Sequence, residues 1–246
     1  MILHFLGTRG GIRARSPRHR LNSCLRVSAG RTTVVFDRGE DWLGRRSRFE
    51  PAAVFLSHAH PDHAGGLKDG GPWRCPVYAS ADTWNILKRY HIRDRRTIGP
   101  NEPVRVGPLR VEAFSLVHSP RAPAVGYRIS AGKTAFFYAP DLVRIVHRSA
   151  ALRGVLLYVG DGASFKRSII RVIDGRPAGH ISIAVQIIWC AEEGVPRAIF
   201  THCGSQIVAG DEKKVVSLVR NLGAEKGVNA SLAFDGLRLS LRPRLA

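Results

Sequence analysis

Lysine is scarce in this chain: seven residues stand against 31 arginines in 246. Acids are scarce too, 19 Asp and Glu against 38 Lys and Arg. No apolar run approaches the roughly 20 residues that a membrane-spanning helix needs, which excludes a helical membrane protein and predicts no membrane partner. The segment Met1 to Gly7 has no basic start and too short an apolar stretch for a secretory signal, so a cytoplasmic location is expected. The four cysteines, Cys24, Cys75, Cys190 and Cys203, form no CxxC pair, which argues against a zinc ribbon and for reduced thiols rather than a disulfide framework. Low-complexity segments and linkers are missing as well, so residues 1–246 are expected to form a single domain. With 44% apolar and 23% charged residues, disorder as the main state is excluded.

What is present in excess is arginine. The formal net charge is +19, and residues 1–36 carry seven arginines and no acid. The guanidinium fork donates two parallel hydrogen bonds to a phosphate, so this balance fits a polyanionic partner, nucleic acid first. It fits equally an arginine-rich surface that is merely solvated, because a global count locates no patch.

Short β-type runs alternate with turns along the chain. Ile2–Leu6, Ser23–Val27, Thr32–Asp37 and Ala53–Ser57 read as strands, followed by Leu109–Val117 and Gly126–Ile129. Thr134–Tyr138 and Val155–Val159 are almost free of charge and read as central strands, and Arg197–Thr201 as a short one. Helices are predicted over Ser80–Tyr90, Ser182–Glu193 and Asp211–Leu222. Val228–Phe234 and Leu237–Leu241 are predicted to form a hairpin around Asp235-Gly236. Arg9–Arg20 reads as a basic, mobile surface loop. Strands cluster, with helices between clusters rather than after each strand. That pattern predicts an α/β (α+β layered) fold of two mixed sheets with helices on both outer faces.

The chemical signal is Ser57-His58-Ala59-His60-Pro61-Asp62-His63, directly after the apolar run Ala52–Leu56. A strand delivers the chain to a sheet edge, where His58 and His60, two apart, can face the same way. A turn at Pro61 returns Asp62 and His63 to the same space. Imidazole with carboxylate suits Zn²⁺, and also Mn²⁺ or Fe. One cluster is too small for two ions, and three further candidates each stand just after a β-run: His118, Asp141 and His202.

HAHPDH matches the HxHxDH signature of the metallo-β-lactamase superfamily, and ILHFLGTRG (2–10) resembles that family's first strand and glycine turn. The resemblance implies an αββα sandwich. It implies that His58, His60 and His118 hold one divalent metal, that Asp62, His63 and His202 hold a second, and that Asp141 bridges both. Within the superfamily, His118-Ser119 with Gly126-Tyr127-Arg128-Ile129, and Gly179-His180-Ile181-Ser182, are similar to the ribonuclease Z and phosphoribosyl cyclic-phosphodiesterase branch. That likeness implies hydrolysis of phosphodiester bonds in RNA, DNA or a nucleotide-like substrate, and admits a homodimer. It makes His180 a general acid or oxyanion stabiliser, Asp161 its orienting carboxylate, and Asp62 a ligand that steers the attacking water. Arg13, Arg15 and Arg18 of the basic loop, and Arg121, become candidates for substrate contact.

The interval between His118 and Asp141 is only 23 positions, with no room for the tRNA-gripping arm that ribonuclease Z inserts there. Two rivals remain at this level. A thiolester hydrolase of the glyoxalase II type uses the same metal frame. A nucleic-acid-binding protein with a silent metal site would need only the arginines. Cys203, directly after His202, lies outside the family's ligand set and is open to packing or to ligation.

Overall fold

The computed structural model describes residues 1–47 and 49–242. In chain order the strands are β1 (Ile2–Gly7), β2 (Cys24–Ala29), β3 (Thr32–Phe36), β4 (Ala53–Phe55), β5 (Val77–Ala79), β6 (Arg95–Thr97), β7 (Val104–Val106), β8 (Leu109–Val117), β9 (Ala124–Ala131), β10 (Thr134–Tyr138), β11 (Arg144–Ile145), β12 (Leu157–Asp161), β13 (Ile169–Ile173), β14 (Arg176–His180), β15 (Arg197–Thr201), β16 (Asn229–Leu232) and β17 (Arg238–Ser240). The helices are α1 (Pro61–Ala64), α2 (Ala81–Ile86), α3 (Arg148–Leu152), α4 (Ile183–Glu192), α5 (Ser205–Val208) and α6 (Glu212–Glu225).

One sheet runs β17-β1-β2-β3-β4-β5-β6, and the other runs β11-β8-β9-β10-β12-β15-β16 with β7 on β8. β13 and β14 pair only with each other. The two mixed sheets pack face to face, as the strand clustering indicates. Between them lie Phe5, Val34, Phe36 and Phe55 of the first sheet and Tyr127, Phe136, Tyr138 and Val159 of the second. Phe136 and Tyr138 point inward while Phe137 between them packs outward with Ile183 and Ile187 of α4. That explains an almost uniformly apolar β10: both its faces are covered. A third cluster, with Val54, Leu56, Leu67 and Leu87, buries the outer face of the first sheet.

Helices α4 and α6 begin where their caps predict. Ser182 and Asp211 accept from the amides of Val185 and Lys214. The helix expected over Ser80–Tyr90 stops at Ile86. Beyond it the chain turns: Tyr90 N bonds to Leu87 O and His91 N to Lys68 O, and Arg95 donates to the free carbonyls of Lys88 and Tyr90. Arg9–Arg20 is tied down. Arg9 is only 3% exposed and pairs with Asp41, and His19 is fully buried.

The expected hairpin around Asp235-Gly236 does not form. β16 pairs in parallel with β15, and β17 pairs antiparallel with β1 in the other sheet. The Asp235 turn carries the chain from one sheet to the other. Its carboxylate accepts from the amides of Thr8, Arg20 and Leu21, which anchors the crossing on the N-terminal loop. Among the described residues no helix is long and apolar enough to cross a membrane.

Candidate metal centre

Strands β3, β4 and β5 run parallel, as do β10, β12, β15 and β16, so their C-terminal ends collect at one edge of the sandwich. Asp37 follows β3, His58 follows β4, His118 follows β8, Asp141 follows β10 and His202 follows β15, while Asp161 ends β12 and His180 ends β14. Asp37 and His202 have φ of 58° and 54°. Side chains rarely accept this left-handed backbone, and here it turns two polar groups off their strands into one space. Asp62 and His63 arrive on the single-turn helix α1, with Pro61 at its first position.

The convergence divides into two clusters that share Asp141. In the first, His58 Nε2 lies 3.0 Å and His118 Nε2 3.1 Å from the same His60 Nδ1. The tautomers follow from outer contacts. The Ser57 hydroxyl gives its one proton to Asp37 at 2.9 Å, so it accepts from His58 Nδ1 at 3.0 Å. His118 Nδ1 donates to Gly179 O at 3.1 Å. Both Nε2 atoms therefore carry lone pairs, and the one nitrogen of His60 can donate to only one of them. In the second cluster, Asp62 Oδ2 lies 3.0 Å from His202 Nε2 and 3.5 Å from His63 Nε2. Asp141 Oδ2 stands between the clusters, 3.5 Å from His58 Nε2 and 3.6 Å from both His63 Nε2 and His202 Nε2.

His63 Nδ1 donates to Asp37 Oδ2 at 2.9 Å, and its Nε2 is buried without a hydrogen-bond partner. A buried lone pair facing two carboxylates is what a cation would complete. The donor set, imidazole nitrogens with carboxylate oxygens, fits a divalent metal. Three groupings of these side chains bring one donor atom each to within 4.8 Å of one another: His58, His60, His118 and Asp141; Asp62, His63 and His202; and Asp141, Asp161, His180 and His202.

Burial holds His58 well below the ordinary imidazole pKa, and burial together with His118 lowers His60 to about 4. These rings are neutral at neutral pH and free to coordinate. Burial opposes charge on His180 as well, but Asp141 and Asp161 outweigh it and raise its pKa to about 10. His180 Nδ1 lies 2.8 Å from Asp141 Oδ1 and 2.9 Å from Asp161 Oδ2. Asp161 is itself fixed by the amides of Leu142 and Ala163, and Gln186 braces its backbone on both sides.

The arginines are dispersed. Arg15 is engaged by Asp41 at 2.6 Å and Arg18 by Glu212 at 2.7 Å, both acids outside the cluster. Arg13 is exposed, two residues beyond Gly11. A Cβ on Gly10 would lie 3.1 Å from the His202 ring, and one on Gly11 3.2 Å from Asp62 Oδ2, so this glycine pair lets the loop close over the second cluster. Arg121 is exposed, 3.8 Å from Asp174. Cys203 is buried in the core beside α5, apart from the three donor groupings. Sequence reading missed Asp37 as a site residue. It also missed Tyr138, whose hydroxyl donates to Asp37 at 2.9 Å. The available signal was an acid closing the apolar run TTVVF, which a turn residue also explains.

Residues 32–203 match the family described as the β-lactamase superfamily domain. A ribonuclease Z of Methanopyrus kandleri is 28% identical over an alignment of 197 positions that covers 72% of this chain and 68% of that protein. A ribonuclease J of Sinorhizobium meliloti is 28% identical over an alignment of 218 positions that covers 74% of this chain but only 38% of that protein, so the chain spans well under half its length. Among solved structures, the metallo-β-lactamase fold protein YhfI of Bacillus subtilis superposes with a TM-score of 0.73 at 18% identity, covering 97% of this chain and 98% of that one.

Proposed function

The chain belongs to the metallo-β-lactamase superfamily, and from that premise we propose that it is a dinuclear metal-dependent phosphodiesterase acting on nucleic acid. His58, His60 and His118 would hold one ion, Asp62, His63 and His202 the other, and Asp141 both. Zn²⁺, Mn²⁺ and Fe all suit these donors. Bound there, divalent ions supply an acidified water at neutral pH and offset negative charge on phosphoryl oxygens.

The observation that carries the reading is His180. Its Nδ1 donates to Asp161 at 2.9 Å, with Asp141 Oδ1 close by at 2.8 Å, and its side chain keeps 23% exposure at the rim of an otherwise closed site. With Nδ1 turned to the carboxylates, its Nε2 is the nitrogen left to give a proton to substrate. An alkoxide leaving from phosphorus needs that proton, whereas a thiolate, a much weaker base, leaves without it. This favours a phosphodiester over a thiolester. Asp161 fixes the ring's orientation, and Asp62 orients the attacking water toward the phosphorus. Similarity to a ribonuclease Z supports RNA as the substrate class, and the excess of cations supports a polyanion.

The test is hydrolysis of bis-p-nitrophenyl phosphate by the Zn²⁺- or Mn²⁺-loaded protein, run beside S-lactoylglutathione. Diester hydrolysis that is abolished in His60→Ala, with the circular dichroism spectrum retained, is expected. Thiolester hydrolysis without diester hydrolysis would overturn the reading. Tight, salt-dependent RNA binding with no cleavage under several metals would make the protein a binding module.

A further inference from the structure

We propose that the β13–β14 hairpin grips the backbone of a single-stranded nucleic acid, with Arg171 and Arg176 on successive phosphates to one side of the diester at His180. The inference rests on the phosphodiesterase reading and adds how a polymer is held.

The site opens at one place. Of the residues that build it, only His60 and His180 are more than marginally exposed. Substrate therefore enters across them, and His180 is the last residue of β14. The hairpin leaves from the mouth itself. Its register pairs Ile169 with His180, Arg171 with Ala178 and Ile173 with Arg176. Strand alternation puts Arg171 and Arg176 on the same face as His180, the face whose imidazole meets Asp141. At the rise of a strand, Arg171 lies about 7 Å and Arg176 about 13 Å along the hairpin from His180. A mononucleotide bound at His180 would not extend that far, but a strand would.

The hairpin is fixed at its foot, where Gly179 N donates to His118 O at 2.9 Å and Gly179 O accepts from the His118 ring. At the tip, Asp174 lies 3.8 Å from Arg121, in the loop that follows His118. Asp174 is the one acid between Lys166 and His180. Among the described residues, neither Arg171 nor Arg176 has a carboxylate partner, nor do Lys166 and Arg167 at the foot, whereas Arg15 and Arg18 each have one. Unpaired forks on a fixed arm are free to take phosphate oxygens in pairs.

Binding of fluorescent 12-mers of rU and dT to the full chain in EDTA, where cleavage is suppressed, tests this. Arg171→Glu/Arg176→Glu should weaken both oligomers at least about tenfold at 100 mM salt. Arg171→Gln/Arg176→Gln should lower the log–log salt slope by about 1.4, two single-strand contacts' worth. Arg105→Glu/Lys133→Glu removes the same charge at the far end of the second sheet and should cost less than about threefold. Equal losses in the two glutamate variants would make the effect one of net charge and overturn the proposal. So would wild-type affinity in the hairpin variants, or a loss confined to rU. Hydrolysis of bis-p-nitrophenyl phosphate by the loaded wild type reports separately on the diesterase reading, so the two can fail independently.

Discussion

Asp37 Oδ2 lies 2.9 Å from His63 Nδ1 and accepts its hydrogen bond, which fixes the ring's tautomer. The same oxygen accepts from Ser57 and Tyr138, so three donors hold it in place beneath the second metal cluster. Carboxylates behind a ligating histidine orient the ring and raise its basicity. Asp37→Asn should therefore lower metal affinity about 10- to 100-fold. Competition against a chromophoric chelator measures this. Unchanged affinity would reduce Asp37 to a packing residue.

His180→Gln should lower kcat by about 10²- to 10⁴-fold on a diester with an alkyl leaving group, with metal content unchanged. The loss should be far smaller on a p-nitrophenyl ester, whose leaving group needs no proton. Equal losses on both would assign His180 to binding rather than acid catalysis. Loss of metal would make it a ligand.

Gly179 has φ of 125°, and a Cβ there would lie 1.9 Å from Ile169 O. Gly179→Ala cannot keep both the β13–β14 pairing and the two bonds to His118. It should destabilise the fold by more than about 1 kcal/mol and disturb the His118 cluster. A melting curve together with the metal stoichiometry reads both effects.

His19 is fully buried, with Nδ1 2.8 Å from the Thr8 hydroxyl and Nε2 3.5 Å from Glu212. Burial lowers its pKa against the opposing pull of Glu212 and Asp235. The unfolded chain takes up this proton near pH 6.5, the folded chain only at lower pH. Its contribution to stability is thus complete above pH 6.5 and is lost as the pH falls from there through the folded value. Urea midpoints of the wild type should decline between pH 7.5 and 5.5 more steeply than those of His19→Gln. Parallel slopes would show that His19 does not titrate on unfolding.

Much of the site was legible because its side chains stand at strand ends, and HAHPDH packs four of them into six residues. Asp37 was hidden because its partner lies 26 positions away and its inward turn depends on a left-handed backbone. Two of the Asp-Gly pairs, at 174–175 and 235–236, teach a narrower lesson. At Asp174-Gly175, with φ of 50° and 73°, the chain reverses into a true hairpin that went unread despite the β-branched run IIRVI before it. At Asp235-Gly236 a hairpin was expected, yet the flanking strands extend different sheets. A turn signal encodes a change of direction, whereas the pairing partner is decided by which buried edge is open. Nor could composition locate charge. Of the arginines from the basic loop, Arg15 and Arg18 spend their charge on Asp41 and Glu212.

β17 completes the first sheet by pairing Ser240 with Ile2 across almost the whole chain. During vectorial synthesis β1 emerges well before β17, and its outer edge stays uncovered until β17 follows. Until then the nascent chain presents an unprotected strand edge, open to pairing with another polypeptide. Ribosome-bound chains that contain β1 but not yet β17 should therefore be prone to pairing with other strands.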